Sequence, residues 1–241
     1  MHYPILAKRF MYRTLLILIL SLTITTSYCQ DTPTYLTDAL KENIKPYKKA
    51  SNSAFEKRNI EEGKNLFDSL VKNKLIGTKF DDFTLKVYKE KNIKINRIEK
   101  PVLIITYASW CVIPKGEIPA LNILAKEHRD DLQIIVVFWD KKKDIKNIAY
   151  KFSDHIKVCY ANEFYPKDSH IVATIKHTLG FPTSIFIDED KNVLDIKHFN
   201  NSIKIKTPIK EAITISYNYF SKDINENLVN ATNNKKSFTS N

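Results

Sequence analysis

The chain has 241 residues, 43% hydrophobic and 27% charged, with 4 Gly, 9 Pro, 3 Cys and a formal net charge of +11. So much apolar and aromatic material requires a packed core, which excludes collagen-like, low-complexity and fully disordered classes. Three cysteines make no disulfide framework, and the sequence holds neither a G-x-G-x-x-G nor a G-x-x-x-x-G-K-[ST] phosphate loop.

Residues 1–29 read as a secretory signal. Lys8, Arg9 and Arg13 precede the apolar run Leu15-Leu16-Ile17-Leu18-Ile19-Leu20, which fades through Leu22 and Ile24 into Ser and Thr. That run has the length of a signal core and falls short of the ~20 residues that span a bilayer. Met1 and Met11 both serve as starts. Ser27 and Cys29 put small residues at −3 and −1, so cleavage is expected before Gln30, leaving 35 basic against 27 acidic residues, +8. Two rivals stand: Cys29 as a lipidated N-terminus, against which the bulky Tyr28 counts, and an uncleaved anchor. Each puts the folded part outside the cytoplasm, periplasmic or extracellular, where disulfide chemistry is open. It is membrane-anchored if Cys29 is lipidated; after cleavage no stable membrane insertion is expected. The lysines are scattered among acids, and Lys141-Lys142-Lys143 is followed at once by Asp144, which reads as a solvated face. A nucleic-acid partner is therefore not expected.

Residues 30–75 form an N-terminal extension. Positions 30–50 are polar without clear periodicity, and from Ser53, a plausible N-cap, Phe55, Leu66, Phe67, Leu70 and Val71 recur at helical spacing up to Lys74. Phe83 to Tyr88 and Ile93 to Ile95 alternate like a hairpin. Val102 to Tyr107 and Leu132 to Trp139 are continuous apolar runs, the signature of strands buried on both faces. Helices are expected from Cys111 to His128, Asp144 to Phe152, Asp168 to Leu179 and Pro208 to Phe220. Ile156 to Tyr160 is a short strand. Thr183 to Asp188 and Val193 to His198 form an antiparallel pair joined by the turn Glu189-Asp190-Lys191-Asn192. Residues 221–241 are Asn/Lys/Ser-rich and expected to be a disordered polar tail. The alternation predicts an α/β domain over residues 76–220, around a mixed sheet flanked by helices.

The chemistry concentrates where the first buried strand meets Ala108-Ser109-Trp110-Cys111. A cysteine opening a helix faces unpaired N–H groups that favour the thiolate, and such positions depress a thiol pKa from about 8.5 to roughly 3.5–7.5. The plain alternative is a small buried hydrophobe; the strand-to-helix junction favours the reactive reading.

These residues resemble the thioredoxin-like superfamily, specifically the exported TlpA/ResA-type thiol–disulfide oxidoreductases. Their W-C-x-P-C-x-x-E-x-P pattern is matched by Trp110, Cys111, Glu117 and Pro119, and Gly180-Phe181-Pro182-Thr183 resembles the family's G-x-P-T before a strand. The run Ile76 to Leu85 resembles the family's N-terminal hairpin. The resemblance implies a thioredoxin-like fold, catalytic Cys111 and Glu117, and substrate contacts from Trp110, Phe181, Pro182 and Thr183, with a cis peptide before Pro182. It implies protein thiols or disulfides and extended peptide segments as partners. No cofactor and no metal is expected, since the histidines show no ligand spacing and no C-x-x-C-H is present. Apart from the resemblance, Glu117 reads as an exposed helix residue beside Lys115, and Trp110 as core.

The chain departs from the pattern at one place. Pro114 stands where the resolving cysteine belongs, so Cys111 has no partner at that motif to attack a mixed disulfide. Cys159, 48 positions on, is expected to be an inert core residue rather than a substitute. Two functions remain open: exchange through a single cysteine, or a catalytically degenerate module that binds extended peptides without turnover. Peroxidase chemistry is weaker, because a T-x-x-C arrangement would need Thr at position 108, where the chain has Ala108.

Overall fold

The computed structural model describes residues 32–198, 203–204 and 206–239, all but the first two within the unit Thr34–Asn241. The signal reading of residues 1–29, with the fate of Cys29, lies outside the described residues. Seven strands form one sheet: β1 (Thr84–Val87), β2 (Ile93–Lys94), β3 (Val102–Tyr107), β4 (Gln133–Phe138), β5 (Ile156–Tyr160), β6 (Thr183–Ile187) and β7 (Val193–His198), in the order β2-β1-β5-β4-β3-β6-β7. The β3–β4 and β4–β5 pairs are parallel and the rest antiparallel. This is the expected mixed sheet, with β6 and β7 antiparallel.

The central strands β3 and β4 are apolar apart from Thr106 and Gln133, because both faces are covered. Val102 and Ile104 of β3 enter one core with Ile135 and Val137, while Leu103, Ile105 and Tyr107 enter the other with Ile134, Val136 and Phe138. Helices α1 (Leu36–Glu56) and α2 (Ile60–Leu70, continued by the π turn Val71–Leu75) cover the first core, with helical pieces over residues 166–179. Helices α3 (Glu117–Glu127) and α5 (Ile209–Thr239) cover the second, with the single turn α4 (Lys146–Ala149) beside them. Register then fixes one edge of the sheet. Thr106 faces Thr183, and Thr183 faces His198. The segments that follow β3, β4 and β5 therefore converge with the segment that precedes β6.

Four expectations need correction. Residues 30–50 are not aperiodic coil: α1 occupies most of them, with Pro46 inside it. Its first turn is anchored from afar, Leu36 N–H donating to the Lys79 carbonyl at 2.8 Å and Thr37 N–H to the Asp81 carboxylate at 3.0 Å. Ser53 caps nothing, lying in the last turns of α1; Asn59 caps α2, accepting from Glu62 N–H at 3.1 Å while its side-chain amide donates to the Glu62 carboxylate at 3.0 Å. The tail beyond residue 220 is helical as far as Thr239, because Phe220, Ile224, Asn227 and Ala231 recur at helical spacing and are buried. Finally, the helix expected over 144–152 is one turn, and that over 168–179 is broken into α and π pieces.

Candidate functional site

Cys111 does not open a helix. Between Tyr107, the end of β3, and Glu117, the start of α3, residues 108–116 form turns and irregular chain. Proline disfavours helical geometry at the residue before it, so Pro114 keeps Ile113 out of a helix and delays the start. Gly116 then passes so close to α5 that a Cβ there would lie 2.2 Å from the Ala212 backbone, which only glycine permits. The helix N-terminus expected beside the sulfur is therefore at Glu117, six residues on.

Hydrogen bonds hold the turn that carries the thiol. Cys111 N–H donates to the Ala108 carbonyl at 2.9 Å. Asp140, just past the end of β4, accepts from Ser109 N–H and from the Ser109 hydroxyl, each at 2.7 Å. Trp139 N–H donates to the Tyr107 carbonyl at 2.9 Å, which fastens the two strand ends together. Cys111 is half-buried and unbonded to Cys159. Trp110 is 74% exposed, its ring edge-on to Phe181 with centroids 5.6 Å apart. The Phe181–Pro182 peptide is cis. Trp110, Cys111, Phe181 and Pro182 thus gather at one edge.

Glu117 is 2% exposed, so the reading of an exposed helix residue fails. It accepts a hydrogen bond from the Tyr107 hydroxyl, at the end of β3. Burial first, then the Glu117 carboxylate, raises the Tyr107 phenol well above its ordinary value; Cys111 acts in the same direction. Thr183 is placed otherwise than expected. It is wholly buried, its N–H donating to the Thr106 hydroxyl at 3.1 Å and its own hydroxyl to the Gly180 carbonyl at 3.0 Å, so its side chain fixes the Pro182 loop rather than meeting a substrate. Trp110 is likewise no core residue.

Cys159 faces Val87 and Val137 within the sheet and is fully buried. Burial, and secondarily Glu90, pushes its thiol far up. Reading along the sequence missed two residues of the site. Asp140 stands at the end of the second buried strand, one step past Trp139, and the parallel pairing of β3 with β4 brings it beside Ser109. Tyr107 reads as the last core residue of its strand. Both signals are pairwise and appear only once strands are placed side by side. Among the described residues no group of His, Cys, Asp and Glu is placed to hold a metal, and no helix is long and apolar enough to cross a membrane.

The thioredoxin-like protein YneN of Bacillus subtilis is 25% identical over 138 residues, 56% of this chain and 79% of its own. The exposed lipoprotein thioredoxin Etrx1 of Streptococcus pneumoniae is 20% identical with a TM-score of 0.42, over 56% of this chain and 96% of that one. A thiol:disulfide interchange protein from Bacteroides sp. is 19% identical with a TM-score of 0.42, over 51% and 80%. The AhpC/TSA family model matches residues 76–196, from the turn before β1 into β7. The chain belongs to the AhpC/TSA family.

Proposed function

We propose that this protein is exported and carries out thiol–disulfide exchange through Cys111 alone, with protein thiols or disulfides as partners. The observation that supports it is the placement of a half-exposed cysteine on a turn held by Asp140, beside the exposed Trp110 and the Phe181–Pro182 loop. The Cys111 thiolate attacks one sulfur of a partner disulfide, forming a mixed disulfide and releasing the partner's other sulfur as a thiolate. A second thiolate, supplied from outside, attacks the partner's sulfur and leaves a new disulfide between them, returning Cys111 as thiolate. Pro114 replaces the internal attacker, and Cys159 is sealed in the sheet. Trp110, Phe181 and Pro182 offer the surface against which an extended partner segment lies, and the buried Glu117, held by Tyr107, is the group that handles protons next to the sulfur.

Incubation with a disulfide-bonded protein tests this. The wild type should trap a mixed disulfide at Cys111 and turn over very little, and Cys111→Ser should trap nothing. Export is tested by intact mass: the mature chain is expected to begin at Gln30, and an acylated Cys29 contradicts that. A second reading, a peptide-binding module without turnover, is favoured by the distance in sequence between Cys111 and the start of α3, which removes the helix N-terminus from beside the sulfur. Peptide binding that survives in Cys111→Ser, with no trapping by the wild type, selects it.

A further inference from the structure

The lysine run 141–143, which reads along the sequence as a solvated face, begins one residue after Asp140. Asp140 is bonded at 2.7 Å to Ser109, two residues before Cys111. At about 3.8 Å per residue, the run therefore starts within a few residue lengths of the thiol. Lys142 and Lys143 are exposed, as is Lys115 on the loop after Cys111. Lys141 lies over the Phe164 ring, 4.3 Å from its centroid, which ties the loop after β4 to the loop after β5. The acids of these loops are engaged: Asp140 by Ser109, Asp168 by Lys86 at 2.7 Å, and Glu163 by Lys176 at 2.8 Å. Among the described residues of these loops, Asp144 alone is an exposed acid without an ion pair. Exposed apolar groups share the edge: Trp110, Val112 at 95% exposure and Phe164 at 72%. The mouth of the site is therefore basic and aromatic.

We propose that this edge docks an acidic, extended protein segment, its carboxylates against Lys141–Lys143 while its sulfur meets Cys111. The inference rests on exchange at Cys111 and names the kind of partner that reaches it. Charge complementarity of this sort acts chiefly on the rate of encounter and on discrimination between partners.

The test offers the full mature chain two disulfide-linked peptide dimers, one with Glu and one with Lys flanking its cysteine. Adduct formation at Cys111 is followed by intact mass. At low salt the acidic dimer is expected to react at least about tenfold faster. The advantage should shrink as the Debye length falls from about 30 Å at 0.01 M to about 8 Å at 0.15 M. Lys141→Glu/Lys142→Glu/Lys143→Glu should reverse the preference, each dimer's rate being taken relative to that variant's own iodoacetamide rate; if that variant does not fold, Lys142→Gln/Lys143→Gln should reduce it. Lys91→Glu/Lys126→Glu/Arg129→Glu, at the opposite end of the strands, changes total charge equally and should leave it intact. Equal rates for the two dimers overturn the inference while exchange stands, as does a preference that follows the opposite-end variant. No adduct with either dimer overturns exchange itself, and the inference with it.

Discussion

Two thiols, one on a turn beyond the sheet and one inside it, differ in what their positions allow. Cys111 sits where the central strand β3 runs out into a turn, half-open to solvent, held by a carboxylate from the neighbouring strand end. Cys159 sits within β5, two strands away, between Val87 and Val137, with its thiol form enforced by burial. A thiolate is the nucleophile in exchange, so the second environment silences the same atom that the first presents. Sequence adjacency to tryptophan or proline does not make this distinction. Whether the residue ends a strand or sits inside it does.

The comparison breaks most visibly under alkylation. In the native protein Cys111 should react with iodoacetamide directly, and Cys159 only through opening of the core. Because populations open by that route are of order 10⁻³ or lower, the two rates should differ by about a thousandfold or more. Comparable rates would place Cys159 in a mobile strand.

Pro114→Cys should come next in size. It puts a second thiol three residues from the first and also releases Ile113 from the restriction that proline imposes. Reduction of an insulin-like substrate is expected to rise from near background to measurable turnover, and no gain would show that more than a missing resolver limits the wild type.

Gly116→Ala probes the support behind the turn. Its methyl would meet the Ala212 backbone at 2.2 Å, so α3 and α5 must separate, at a cost of about 1–3 kcal/mol in chemical denaturation. The Cys111 alkylation rate should change with it, and Cys159 should remain protected.

The smallest effect is electrostatic. The folded Cys159 thiol holds its proton above the ordinary value of 9.0, whereas the unfolded chain releases it there. The unfolded state thus binds fewer protons above pH 9, and stability falls as pH rises, by about 1.4 kcal/mol per pH unit for this group. Below pH 9 the contribution is complete. Cys159→Ala should flatten the decline by that slope.

The same contrast explains what was legible in the sequence. β3 and β4 could be read directly because a strand buried on both faces is apolar at nearly every position. The Cys111 and Pro182 segments were found through motif, and the structure brings them together through the Trp110–Phe181 contact. What escaped depends on partners remote in sequence. Helix α1 is set by Lys79 and Asp81, and the far half of α5 by a sparse apolar stripe within an Asn- and Lys-rich run, with Asp223 bonded to Lys197 of β7 at 2.5 Å. Cys111 was expected on a helix because the run from Cys111 to His128, following a buried strand, reads as one. One proline, moved one step along the motif, changes which residue is barred from helical geometry.

The most direct test of the account is the release of a trapped adduct. A mixed disulfide is prepared at Cys111, excess reagent removed, and its decay followed by intact mass at several concentrations of added small thiol. Release should be proportional to the added thiol and extrapolate to zero without it, in the wild type and in Cys159→Ser alike. A finite rate at zero added thiol that disappears in Cys159→Ser would contradict the account, because a thiol within the chain would then be completing the exchange.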